Sequence, residues 1–218
     1  MKRMNAVKHH IADEFLMAYS AGILPEAFSL VIAAHVSLSD DSRARLGAYD
    51  SVGGAVMDSA APAEMEQGAL SATLARIKGH KPMERTAARK ASGTLPGPLQ
   101  RYVGGDLESV AWRSVGRGVK QAILPTSDGA RVRLLYIPSG MAMPDHSHGG
   151  TELTLVLQGA YRDEVSDFAR GDIEVGDEDL QHTPVAFGPQ DCICLTATDA
   201  RLRFTSILPR LAQPFLRI

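Results

Sequence analysis

The chain has 218 residues, 44% of them hydrophobic, with 23 basic and 25 acidic side chains and a formal net charge of −2. This length suits one large or two small domains. The near-neutral balance argues against a nucleic-acid or anionic-membrane partner, and no apolar run approaches the roughly 20 residues of a membrane helix. The start, Met1 to His10, carries Lys2, Arg3 and Lys8 without an apolar core after them, so it does not read as a signal peptide. Cys192 and Cys194 are too close together to staple a fold, which points to a reducing cytoplasm. The unusual feature is seven histidines.

The first third reads helical. Ile11, Phe15, Leu16 and Tyr19 recur at helical spacing until Gly22. Pro25 then opens a very apolar helix, PEAFSLVIAAHVSL. A third pattern runs from about Asp40 to Met57, and a fourth places Met65, Leu70, Leu74 and Ile77 on one face. Four short amphipathic helices fit a small helical domain. From Lys81 to Arg101 three prolines and five basic residues interrupt the pattern, which reads as a solvated tether. Beyond it the period switches to two. SVAWRSV, VKQAILP, ARVRLLYIP, ELTLVLQG, AYRDEVSD, CICLTAT and LRFTSILPR are short runs separated by turn residues. Such a series predicts an antiparallel sandwich or barrel. The chain therefore reads as α+β with a helical domain over 1–85, a linker over 86–103 and an all-β domain over 104–218.

The richest stretch is Gly140 to Gly159. On a strand, His146 and His148 share a face, and Glu152 starts the next strand. Two imidazoles and a carboxylate suit Zn²⁺, Fe²⁺ or Mn²⁺. His182 is the remaining histidine of the β region and the candidate fourth ligand. The spacing G-x5-H-x-H-x3-E-x6-G resembles the first cupin motif at every defined position. The second cupin motif is matched more weakly: Gly171 and His182 are kept and the Pro-x-Gly between them is absent. The resemblance implies a small jelly-roll barrel holding a metal. Many cupins are enzymes, so one reading is a metalloenzyme, a dioxygenase or isomerase, with a helical oligomerisation domain. No second general acid or base stands out: Tyr161, Asp163 and Glu164 read equally well as solvent-facing residues. Cys192 and Cys194 share one strand face and read as buried small side chains, with no basic neighbour in sequence to activate a thiolate.

The helical region holds a second pattern. His35, Ser39 and Ser42 are spaced H-x3-S-x2-S, which on one helix puts them on one face. With cysteines this would be a zinc half-site that His10 could close. His9 is the alternative to His10, and His80 reads as a solvated helix end. Ser39-Asp40-Asp41-Ser42 also reads as a helix N-cap followed by acids. The HH pair, SLVIAAH, RARLGA, QAILP and QPFLRI, together with the domain order, closely resemble the ChrR-type zinc-binding anti-sigma factors over essentially the whole chain. That resemblance implies a cytoplasmic protein whose helical domain sequesters an extracytoplasmic-function sigma factor. It implies a cupin that holds Zn²⁺ through His146, His148, Glu152 and His182 and is needed for release under singlet oxygen. It places the N-terminal zinc ligands at His10, His35, Ser39 and Ser42. Serine keeps its proton near neutral pH and ligates zinc poorly, so N-terminal zinc is expected to be weak or absent. Leu16, Leu24, Phe28 and Leu30 are the candidate positions shared by the helical core and the sigma interface. No direct nucleic-acid or membrane contact is expected.

Overall fold

The computed structural model describes residues 7–80, 93–127 and 129–204. Helices α1 (Asp13–Ser20), α2 (Glu26–Leu38), α3 (Asp40–Asp58) and α4 (Ala69–Gly79) come first, and α5 (Gly97–Val103) leads into the strands. Ser39 breaks α2 from α3. Its backbone is extended, and its side chain accepts the Ser42 N–H as an N-cap, with Asp40 and Asp41 following in the first turn. His35, Ser39 and Ser42 therefore do not lie on one helix as their spacing suggested; the cap residue turns the chain between two.

Helix α2 is apolar on most sides and buried accordingly. Ala27, Phe28, Leu30, Val31, Ile32, Ala34 and His35 are all buried. It packs against α1 and α3 on one side and against α5 and the sheet on the other. Each fully buried Leu, Ile, Val or Phe contributes about 1.5–3 kcal/mol, so α2 is the principal apolar link between the helices and the sheet. Helix α4 is the opposite case, with no buried residue. The described part of the expected tether also differs from a solvated segment. Leu95 and Leu99 are buried, and Asp106 accepts the N–H groups of Thr94 and Leu95 at 2.8 Å each. Residues 81–92 lie outside the described residues, as does QPFLRI.

The strands are β1 (Arg113–Gly116), β2 (Val119–Leu124), β3 (Arg131–Ile137), β4 (His146–His148), β5 (Glu152–Gln158), β6 (Ala160–Arg162), β7 (Asp167–Ala169), β8 (Ile173–Gly176), β9 (Gln181–His182), β10 (Val185–Phe187), β11 (Cys192–Thr198) and β12 (Leu202–Phe204). They form a six-stranded sheet in the order β1-β2-β3-β11-β5-β8 and two three-stranded sheets, β10-β6-β7 and β12-β4-β9. The described ladders are antiparallel. Strand β11 is buried at every position. Ile193, Leu195 and Ala197 join the core that contains α2. Cys192 and Cys194 alternate with them and join a second core with Val156, Tyr161 and Phe168. The large sheet thus has one face under helices and the other turned toward the smaller sheets.

Candidate metal centres

The first centre is built by β4 and β9. Their register sets His146 opposite His182, and β12 pairs on the other edge of β4. The ring centroids lie 5.2 Å apart for His146–His148, 4.7 Å for His146–His182 and 5.3 Å for His148–His182. One nitrogen from each ring falls within 4.8 Å of the others. Gly176 lets His148 sit there, because a Cβ at that position would stand 2.9 Å from His148 Nε2.

Hydrogen bonding shows what these rings are ready to bind. His146 Nδ1 donates to the Pro144 carbonyl at 2.8 Å, leaving Nε2 as the lone-pair nitrogen. His182 Nδ1 faces Asp163 Oδ2 at 3.2 Å and Glu174 Oε1 at 3.5 Å. His182 Nε2 and both ring nitrogens of His148 are buried with no hydrogen-bond partner. Buried polar atoms left so are costly, and a bound cation would satisfy them. Burial pushes His148 down to about 4, helped by the neighbouring imidazoles, and lowers His146 as well. Both are thereby kept in the neutral form that ligates metal. Burial also lowers His182, but Glu174 and Asp163 outweigh it and the net shift is upward. These residues fit a divalent metal, with carboxylates orienting an imidazole from behind.

Three of the four expected ligands come together. Glu152 stands at the side of the group, with Oε2 3.8 Å from His148 Nδ1, and takes the Thr154 hydroxyl at 3.3 Å. Burial pushes its carboxyl up to about 7, against the pull of Arg133 and His182. The sequence reading missed Glu174, and it left Asp163 open, as equally readable as a solvent-facing residue. In DIEVG the alternation of Glu174 with Ile173 and Val175 was the available signal. Alternation shows which residues share a face, not which face is inside. Tyr161 donates to Glu174 Oε2 at 2.7 Å, so this residue too is part of the network. Cys192 and Cys194 lie buried with Sγ atoms 3.4 Å apart. The hydrogen bond shared with Cys192, together with burial, raises the Cys194 thiol well above its ordinary value.

The second centre assembles all four residues picked out near the N-terminus. His10 Nδ1 lies 3.1 Å from Ser39 Oγ and 3.5 Å from Ser42 Oγ. Ser39 Oγ donates to Ser42 Oγ at 3.1 Å, and His35 Nε2 lies 2.9 Å from Ser42 Oγ. His35 Nδ1 donates to the Gly171 carbonyl at 3.0 Å. Burial takes His35 down to about 4 despite that bond. His9 points elsewhere, to Ser166 Oγ at 3.0 Å and the Phe168 ring. Geometry therefore groups His10, not His9, with the serines. The result is a hydrogen-bonded knot in which each side chain has a partner.

The candidate sigma contacts lie elsewhere than at an open surface. Leu16, Phe28 and Leu30 are buried in the core shared with the sheet, and Leu24 packs against it half-buried. Their apolarity serves a core and an interface equally. The exposed large apolar side chains among the described residues include Val52, Val56 and Met57 on α3 and Leu70, Leu74 and Ile77 on α4.

Residues 100–201 match the family model of the ChrR Cupin-like domain. The chain is 55% identical over 213 residues to the anti-sigma-E factor ChrR of Cereibacter sphaeroides, covering 97% of this chain and 99% of that protein. The chain belongs to the ChrR family of anti-sigma factors. A crystal structure of Rhodobacter sphaeroides SigE in complex with the anti-sigma ChrR is similar at a TM-score of 0.79 and 52% identity, over 89% of this chain and 100% of that one. An RmlC-like cupin from Ralstonia eutropha is 24% identical over 47% of this chain and 71% of its own, with a TM-score of 0.41. Membership of the ChrR family places this chain among regulators, not among cupin metalloenzymes. No helix of the described residues is long and apolar enough to cross a membrane.

Proposed function

We propose that this chain is a cytoplasmic anti-sigma factor that sequesters an extracytoplasmic-function sigma factor and releases it on an oxidative, singlet-oxygen-type signal. The similarity to a sigma-bound anti-sigma factor over nearly its whole length carries this reading. The working units are a helical unit over 1–85, a connecting segment over 86–103 and a cupin-like unit over 104–218 closed as a jelly roll. The sigma factor docks on the apolar stripe of α3 and α4, and α4 completes a four-helix unit when that surface is covered. A stable interface needs about 800 Å² per partner, and clustered exposed apolar side chains are the usual mark of such a surface.

The cupin-like unit holds Zn²⁺, with Fe²⁺ and Mn²⁺ as chemical alternatives. His146, His148 and His182 supply nitrogen, and Glu152 supplies the carboxylate beside His148. The metal serves to hold the signal-sensitive arrangement of these side chains. The N-terminal knot binds zinc weakly or not at all.

Co-expression of the full chain with an extracytoplasmic-function sigma factor, followed by size-exclusion chromatography, tests the proposal. The expected result is a one-to-one complex carrying one zinc per chain. Leu74→Asp with Ile77→Asp should abolish it while leaving the circular dichroism of the free chain unchanged. A variant that binds as well as the parent would overturn the assigned surface, and no complex with the parent would overturn the function.

A further inference from the structure

Strand β8 is the edge of the large sheet, paired with β5 on one side. Free strand edges attract other chain segments. Here the edge is taken by the beginning of the same chain. The Ile173 N–H donates to the His9 carbonyl at 3.1 Å. Asp172 Oδ1 accepts the Lys8 N–H at 2.6 Å and the His9 N–H at 3.0 Å, while its Oδ2 accepts the Ala169 N–H at 2.8 Å. Gly171, at φ +94°, leaves room for Val7; a Cβ there would stand 2.7 Å from Val7 Cγ2. The Gly171 carbonyl accepts from His35 of the knot at 3.0 Å.

The same strand reaches the other centre. Glu174, two residues beyond Asp172, stands 3.5 Å from His182 Nδ1. A second route runs in parallel through rings. His9 lies on Phe168 at 4.5 Å, Phe168 stacks on Tyr161 at 5.0 Å, and the Tyr161 hydroxyl donates to Glu174. Four consecutive residues, 171 to 174, thus touch the knot, the N-terminal segment and the metal-facing histidine.

We propose that residues 171–174 are a mechanical coupling between the two centres, through which metal occupancy at His146, His148 and His182 sets how firmly residues 7–9 are clasped to β8. Drawing His182 into a metal shell moves the partner of Glu174 at one end of the stretch 171–174. Asp172 and Gly171, at the other end, hold the segment leading to His10. Helix α3, which carries part of the exposed apolar stripe, starts at that knot. This supplies the regulation for the function proposed above and rests on it. Short, contiguous, hydrogen-bonded links of this kind carry coupling when both sites bias the same element.

Amide hydrogen exchange on the full-length chain tests the link without any sigma factor. Removing zinc from the parent protein should speed exchange at Lys8, His9 and Ile173 at least tenfold, with strand β2 unchanged. Asp172→Asn should speed Lys8 and His9 by a similar factor while retaining one zinc per chain, and zinc removal should then add little. His9→Ala, which cuts the ring route and keeps Asp172, should reduce the response to zinc and not abolish it. Exchange at Lys8 and His9 that ignores zinc, or a zinc effect of equal size in Asp172→Asn, would overturn the coupling. Sigma capture by the same proteins is scored separately, so loss of the link and loss of the anti-sigma function are distinguishable.

Discussion

The two centres differ in what they leave unsatisfied. In the N-terminal knot, His10, His35, Ser39 and Ser42 are all engaged by hydrogen bonds. In the cupin-like centre, His148 and His182 keep buried ring nitrogens without partners. Both have four side chains at family spacing, so spacing alone does not separate them. Donor chemistry does. A serine hydroxyl can donate as well as accept, and so closes a ring of bonds with its neighbours. A neutral imidazole whose lone pair faces other imidazole lone pairs has nothing to bond except a cation.

The strongest way to break this contrast is to introduce thiolates. Ser39→Cys with Ser42→Cys should raise zinc from one to two per chain, measured by metal analysis after dialysis. The new site should contribute on the order of 10 kcal/mol of apparent binding at neutral pH. A double variant still holding one zinc would show that the knot's geometry, and not its chemistry, excludes metal.

Acid should strain the knot next. His35 titrates near 4 when folded and near 6.5 when unfolded. As pH falls from about 6.5 to 4, the unfolded chain takes up this proton first. Stability is therefore lost over that window, by up to about 3 kcal/mol. Urea melts of metal-free parent and His35→Asn proteins should show a smaller pH dependence in the variant. Parallel curves would remove His35 as the cause.

The smallest effect concerns the carboxylate behind His182. Glu174→Gln keeps the shape and removes the charge facing Nδ1. It should weaken zinc affinity about 10–100-fold, the usual cost of losing such a partner. The measurement is chelator competition.

Much of this was legible beforehand because it is local. Helices α1 to α3, the alternating strands and the H-x-H pair all follow from spacing within a few residues. Other features were not legible. Helix α4 has a periodic apolar face like those of its neighbours, yet it is exposed, because nothing in a periodic pattern says what covers it. Leu95 and Leu99 were masked by the prolines around them, and their burial depends on contact with distant elements.

By itself the sequence determined the two groups of candidate ligands and the switch from helix to strand. Only the tertiary structure decided that Glu152 sits beside His148 while Asp163 and Glu174 back His182, and that residues 7–9 are held at the start of β8. The physical reason is range. Backbone periodicity constrains neighbours within a turn or a strand, whereas Lys8 and Asp172 meet across 164 positions because an edge strand and a buried carboxylate needed partners there.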